Sequence, residues 1–286
     1  MAVDRQDFED AVAAYWGVKD TQNEKSTLKG AVGAGTAGKV RSGQHFDPIA
    51  KLIRKIFLDA KFPASSVRIT VSDRLELPGY YRAQKRWDVV VTYEDTLVAA
   101  FELKALGGPS FGNNFNNRVE EALGSAVDVR RARLAELYPG EKPWLGYFFI
   151  MEDAPGSRSS VRLDQGPFPV EDIWLDDCCL ATGGKPCGLP KKTSLHGKSY
   201  QQRFGIFCER LLEEQLYDAA CFITSSEEEP TPKELSPKLD WQHFAAAIAG
   251  RITYLRELGI PAKAEDAGRH AGRGRQVGTA RWQARS

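Results

Sequence analysis

Two short apolar runs in the middle of the chain carry charge where charge is costly, and an acidic turn joins them. Arg86-Trp87-Asp88 leads into Val89-Val90-Val91, and Val98-Ala99-Ala100-Phe101 leads into Glu102-Leu103-Lys104, with Glu94-Asp95-Thr96 between. β-Branched and aromatic residues flanking turn-prone ones read as a β-hairpin. Side chains alternate between the two faces of a strand, so Glu102 and Lys104 share a face, about 7 Å apart along the backbone. A three-residue loop, Glu94-Asp95-Thr96, pairs Tyr93 with Leu97. Asp88 then falls opposite Glu102 and Lys104 opposite Arg86, with β-carbons about 5 Å apart across the strands. A two-residue loop puts Asp88 on the other face, because a one-residue slip reverses a strand. The odd register is therefore the expectation, with Val90, Val98 and Ala100 on the acidic face.

Two like charges directly opposed on a sheet are destabilising, and burying them costs more without compensation. A divalent cation compensates. Magnesium (Mg2+) takes one or two carboxylates and completes its octahedron with water and phosphate oxygens. It polarises a phosphate and lowers the pKa of a bound water. An ammonium beside it can orient that water or stabilise the charge that develops on the phosphate. The pattern Asp-x13-Glu-x-Lys thus suggests metal-dependent cleavage of a phosphodiester, with Asp88 and Glu102 as metal ligands and Lys104 as the catalytic lysine. A surface hairpin with a polar face is the competing reading, and by spacing alone the motif is weak.

The segment after the lysine is more specific. Gly107-Gly108-Pro109-Ser110-Phe111-Gly112-Asn113-Asn114-Phe115-Asn116-Asn117-Arg118 is followed by Val119-Glu120-Glu121-Ala122-Leu123-Gly124. With Leu77-Pro78-Gly79-Tyr80, Arg86-Trp87-Asp88, Pro143-Trp144-Leu145-Gly146-Tyr147 and Ser199-Tyr200-Gln201-Gln202-Arg203, it resembles the XhoI family of type II restriction endonucleases. The likeness runs from Asp4 to about Phe222. It implies a PD-(D/E)xK nuclease core, here a mixed sheet flanked by helices. It also implies magnesium dependence, a homodimer, and cleavage of both strands of double-stranded DNA at a palindrome, CTCGAG in typical members. A cognate DNA methyltransferase acting on the same site is implied as a cellular partner. Trp87 stands where the motif's name has proline, a variable position. A structure-specific repair or junction nuclease on the same core is the rival function, and a catalytically silent DNA-binding module a third.

The 286-residue chain has a formal net charge of +1, so any DNA-facing charge is clustered rather than global. The N-terminus has no signal-peptide pattern and no apolar run spans a bilayer, so a cytoplasmic enzyme is the expectation. Five cysteines at irregular spacing do not make a disulfide framework. Cys178, Cys179, Cys187 and His196 could offer zinc ligands, but their spacing matches no common pattern.

Mixed strands and helices argue for one α/β nuclease domain over residues 1–260. Within it 30–43 reads as a glycine-rich loop and 176–197 as an insertion, and 261–286 reads as a disordered basic tail. Gly33 to Lys39 imitates nucleotide-binding fingerprints but lacks their strand, helix and hydroxyl residue. Helical periodicity places Phe8, Ala11, Val12, Tyr15 and Trp16 on one apolar side. Asp47-Pro48 opens a second helix to about Ala60. Asp47 is either its cap or a third acid for the metal. Val67 to Val71 is the first core strand. Asn117 and Glu120 form a capping box, with Val119, Ala122, Leu123, Ala126 and Val127 as the buried stripe. Trp144 to Met151 and Ala219 to Thr224 are further strands, Tyr200 to Leu216 and Trp241 to Leu258 further helices, and Glu227 to Pro237 an exposed linker. Asparagine reads adenine and arginine reads guanine in the major groove. Candidate DNA contacts are Asn113, Asn114, Asn116 and Arg118 after the lysine, and Arg82 and Lys85 beside Asp88.

Overall fold

The computed structural model describes residues 4–28, 46–70, 72–164, 166–185 and 194–261, side chains of 19–28 excepted. The glycine-rich segment 30–43, Cys187 and the tail beyond Pro261 lie outside the described residues. Seven α-helices are described: α1 (Arg5–Leu28), α2 (Asp47–Asp59), α3 (Phe111–Leu134), α4 (Pro155–Arg158), α5 (Asp177–Ala181), α6 (Tyr200–Glu213) and α7 (Trp241–Glu257). The strands are β1 (Val67–Arg68), β2 (Glu76–Pro78), β3 (Gln84–Arg86), β4 (Val89–Tyr93), β5 (Thr96–Leu106), β6 (Leu145–Glu152), β7 (Val161–Asp164), β8 (Ser194–Gly197), β9 (Ala219–Ser225) and β10 (Lys233–Glu234).

Six strands form one mixed sheet in the order β1-β4-β5-β6-β9-β10. β4 and β5 are antiparallel, β5, β6 and β9 run parallel, and β1 and β10 close the edges antiparallel. β6 is buried from Leu145 to Met151, as befits a central strand covered on both faces. Gly146, opposite Phe101 on β5, leaves the room that the Phe101 ring occupies. On one face, α1, α2 and α7 deliver Phe8, Phe57, Trp241 and Phe244 onto Val89, Phe101, Phe148 and Ile223. On the other, α3 and α6 deliver Phe111, Ala126, Phe204 and Phe207 onto Ala100, Tyr147, Phe149 and Phe222. The fold is thus the expected mixed sheet flanked by helices.

Several local expectations are corrected. β1 stops at Arg68 because the Asp73 carboxylate accepts the amides of Ile69 and Thr70 and bends the chain off the ladder. α3 begins at Phe111, not at Asn117, with Ser110 at its N-cap. Packing overrides the capping-box signal, since Phe111 and Phe115 lie against Tyr200 and Phe204 of α6 and hold the earlier turns in register. Its buried stripe is rotated: Ala122, Ser125, Ala126, Asp128, Val129 and Ala132 are inside, while Leu123 and Val127 are both 38% exposed. Glu227 to Pro237 is not merely a linker, because β10 pairs with β9. Lys233 bridges to Asp153 at 2.9 Å, and Glu234 accepts the Trp241 amide. The predicted insertion carries α5 and ends in β8, which pairs with β7. Cys179 is buried there beside Leu175 and Leu195, with its Sγ accepting the His196 amide, whereas Cys178 is exposed.

Candidate active site

The β4–β5 hairpin sets the site. Its turn is the two-residue type, with Tyr93 paired to Thr96 and Glu94 in the left-handed region at φ 49°. Taken alone, that turn turns Asp88 away from Glu102. A β-bulge between Val91 and Thr92 corrects it: Thr92 pairs with Leu97, but Val91 pairs with Ala99. Val98 is the extra residue. Val98 and Ala99 both face the α1/α2/α7 layer, and beyond them the pairing is Val90 to Ala100 and Val89 to Phe101. The expected parity is present, but a bulge rather than a three-residue loop produces it, and Val98 does not share the acidic face. Arg86 is not opposite Lys104 either; it pairs with Glu76 in a separate two-stranded ribbon, β2–β3.

Glu102 is 1% exposed, in the interior under α3 and α6. Its Oε1 lies 3.0 Å from Lys104 Nζ and 3.3 Å from Lys85 Nζ. Its Oε2 accepts from the Tyr217 hydroxyl at 2.9 Å. Burial pushes the carboxyl up, but the two ammonium groups and the hydroxyl outweigh it and hold Glu102 below its ordinary pKa. Asp88 Oδ2 accepts the Leu103 amide at 2.8 Å, which fixes the carboxylate to the strand that carries Glu102. For Asp88 burial wins: with the Glu102 charge it raises the pKa against the pull of Lys104, the Leu103 amide and Lys85. Lys104 is raised, since Glu102 and Asp88 overcome the effect of burial. Lys85 is lowered, since burial prevails over Glu102 and the neighbouring Lys104 adds to it.

The structure therefore brings Asp88, Glu102 and Lys104 together and adds Lys85, which the sequence placed among DNA contacts. It also adds Tyr217 and Glu121, whose Oε2 is 3.9 Å from Lys104 Nζ. Arg118, another predicted DNA contact, is tied to Glu121 at 2.5 Å. Asn113 and Asn116 are exposed in the opening turns of α3, with Asn114 half-buried. Arg82 Nε is paired at 2.7 Å with Asp128, whose other oxygen accepts the amides of Tyr80 and Tyr81 at 2.7 and 2.8 Å. Gly79 has no room for a Cβ because Asp128 Oδ2 fills that space. The tip of the β2–β3 ribbon is thus locked onto α3. Asp47 is not brought to this site. It is exposed in the first turn of α2, which packs on the opposite face of the sheet, and it does not cap: the N-cap is Phe46, without a side-chain hydrogen bond.

Tyr217 lies 115 residues from Glu102, and no local pattern links them. Lys85 had a local signal in the alternation of Gln84-Lys85-Arg86, but which face it meets depends on how the ribbon docks.

Two carboxylates on one face, Glu102 buried and Asp88 half-buried, are the hard oxygen donors a divalent cation takes, leaving the remaining positions to water and phosphate. Asp88 Oδ1 accepts no hydrogen bond among the described residues, so the pair fits such an ion. No group of three or more His, Cys, Asp or Glu that could hold a metal occurs among the described residues. No helix of the described residues is long and apolar enough to cross a membrane.

The family model "Restriction endonuclease XhoI" matches residues 25–175 and 186–236. Three curated relatives are similar. The type II restriction enzyme BstVI of Geobacillus stearothermophilus is 34% identical over 68% of this chain and 79% of its own. XhoI of Xanthomonas vasicola is 33% identical over 74% and 78%, and AbrI of Azospirillum brasilense is 35% identical over 58% and 76%. No solved structure matches.

Proposed function

Because the chain belongs to the XhoI family of type II restriction endonucleases, we propose that it hydrolyses both strands of double-stranded DNA at CTCGAG, with magnesium as cofactor and Asp88, Glu102 and Lys104 as the reacting constellation. The observation that carries this reading is the buried Glu102 carboxylate, clasped by Lys104 on the face it shares with Asp88. A carboxylate is kept in such a place only if its charge is matched.

Asp88 and Glu102 would hold the cation, which supplies Lewis-acid polarisation of the phosphate and a more acidic water. The chain's own groups do the rest. Lys104 donates to the attacking water or to a non-bridging phosphate oxygen, where negative charge builds as the new O–P bond forms and an ester bond breaks. Glu102 and Glu121 hold that ammonium in place. Tyr217 fixes the rotamer of Glu102. The Leu103 amide fixes Asp88. Asn113, Asn114, Asn116 and Arg118 lie on the α3 turns that follow β5, where amide and guanidinium groups can meet base edges. Arg82 presents the ribbon to the duplex. A two-fold homodimer places two such sites on the two strands of a palindrome. A methyltransferase that modifies the same sequence shields the host DNA in the cytoplasm.

The test is digestion of a plasmid with one CTCGAG site. Linear product in magnesium, none with chelator, and none with Glu102→Ala of unchanged circular dichroism is the expected outcome. Normal cutting by that variant removes the assignment. Smeared or branch-confined cutting points to a structure-specific nuclease.

A further inference from the structure

Lys104 already neutralises Glu102 at 3.0 Å and Tyr217 satisfies its other oxygen. A second ammonium, Lys85, approaches the same oxygen at 3.3 Å. Its side chain is 16% exposed, so it is not a loose surface charge that settled on an acid. It has a second seat: Nζ stands 4.1 Å from the centroid of the Trp87 ring, and the Trp87 side chain is fully buried. An ammonium over an indole face is held by the ring quadrupole without an anion. Lys85 also arrives on a different body from the other three groups. It is carried by the β2–β3 ribbon, whose tip is pinned to α3 through Asp128, and not by the central sheet.

We propose that Lys85 is a second active-site lysine that pairs with Glu102 in the cation-free protein, yields Glu102 to the divalent cation, and then binds the scissile phosphate from its seat on Trp87. This inference rests on the reading of Asp88 and Glu102 as the cation ligands. The charges support the exchange. Two carboxylates, Asp88 and Glu102, face two ammonium groups, Lys85 and Lys104, and Glu121 is offset by Arg118, so the cation-free protein is balanced here. A divalent cation entering it leaves an excess of positive charge, complementary to an anionic phosphodiester. Lys85 therefore opposes cation binding to the free protein and favours DNA binding at the reacting centre. A lysine whose only role is to neutralise Glu102 does not have this pair of opposite effects.

The test separates the two effects in Lys85→Met, which keeps the stem against Trp87 and removes the charge. Mn2+ binding to the free protein, read by electron paramagnetic resonance without DNA, is expected to tighten about 3- to 10-fold. Single-turnover cleavage at saturating Mg2+ is expected to slow at least about 10-fold. Lys85→Arg restores the charge and is expected to return Mn2+ affinity to the wild-type value. Unchanged or weaker Mn2+ binding in Lys85→Met, or a cleavage rate within twofold of wild type, overturns the proposal. Lys85→Gln gives the same readings should the methionine variant not fold. Glu102→Gln keeps the underlying reading separate. If it loses Mn2+ binding and cleavage while Lys85→Met behaves as wild type, only the role of Lys85 fails. If Glu102→Gln binds and cuts normally, the cation site itself is misassigned.

Discussion

On β5, Phe101 and Leu103 turn to the layer of α1, α2 and α7, while Ala100, Glu102 and Lys104 turn to the layer of α3 and α6. The first layer is aromatic, and among the described residues no charged side chain of it is fully buried. Phe8 stacks on Trp241 at 4.6 Å, and Phe148 meets Phe8, Trp241 and Phe244 edge-on or tilted. The second layer is as well packed around Phe149, Phe204 and Phe222, yet it takes in Glu102, Lys104 and Lys85. The same strands thus separate stability from chemistry through the period of two in their side chains. A rigid apolar face backs the strand, and the charged face can then be built to tight tolerance on it.

That contrast gives two unlike failures. Glu102→Ala should cost about 10^4-fold or more in cutting rate, and it should lower the thermal midpoint as well, since it leaves Lys85, Lys104 and the Tyr217 hydroxyl without their shared partner. Phe148→Ala, on the other face, should cost about 3–5 kcal/mol of stability. It should leave the cutting rate of the folded fraction nearly intact at low temperature. Denaturant melts and single-turnover rates on both variants check this. If Phe148→Ala instead abolished cutting in fully folded protein, the two faces would not be separable.

The charged face also draws on a second body, the β2–β3 ribbon, and Asp128 is its clamp. Burial works against the Asp128 charge, but the Tyr81 amide, Arg82 and the Tyr80 amide hold its carboxyl below its ordinary pKa. A depressed folded pKa gives stability that is present above the unfolded value of about 4 and is lost as pH falls through the folded one. The clamp should therefore hold across neutral pH and open only in acid. Asp128→Ala should cost about 2 kcal/mol, raise hydrogen exchange at the Tyr80 and Tyr81 amides, and slow cutting about 10-fold by loosening Lys85. Unaltered exchange at those amides would show that the ribbon stays docked without Asp128.

Much of the apolar face was legible in the sequence, because amphipathic periodicity in α1 and α2 reports burial directly. The buried positions Phe8, Val12, Tyr15, Ile49, Ile53 and Phe57 are the ones that spacing selects. On the charged face, parity placed Asp88 with Glu102, but the bulge at Val98 that makes it so left no sequence signal distinct from a longer loop. α3 misled for a physical reason. Asp128 is buried by a partner far along the chain, the ribbon amides, and Ser125 satisfies its hydroxyl on the Glu121 carbonyl one turn back, so polar residues took the inside and Leu123 and Val127 were left out. Tyr217 and Lys85 reach Glu102 from a different strand end and a different sheet, and one-dimensional spacing does not encode how those bodies dock.

The smallest expected effect is the most discriminating, because it reverses sign between the two carboxylates. Burial raises Asp88 where the lysines depress Glu102. An acid with a raised folded pKa binds its proton more tightly in the folded state, so ionising it at neutral pH subtracts stability, and the loss is recovered as pH falls towards the unfolded value of about 4. Asp88→Asn keeps an oxygen for the Leu103 amide and removes the charge. It should therefore stabilise the protein by about 1 kcal/mol, on the order of 2–4 °C for a chain of this size, while cutting is lost. The gap between variant and wild type should narrow from pH 7 to pH 4, as the wild-type carboxyl takes up its proton. Glu102→Gln should show the opposite trend, because at neutral pH it gives up a favourable pairing with Lys104 and Lys85. Thermal melts of the two variants at both pH values read these signs directly. If Asp88→Asn melted below wild type at pH 7, the Asp88 charge would be paired rather than held in reserve for a cation.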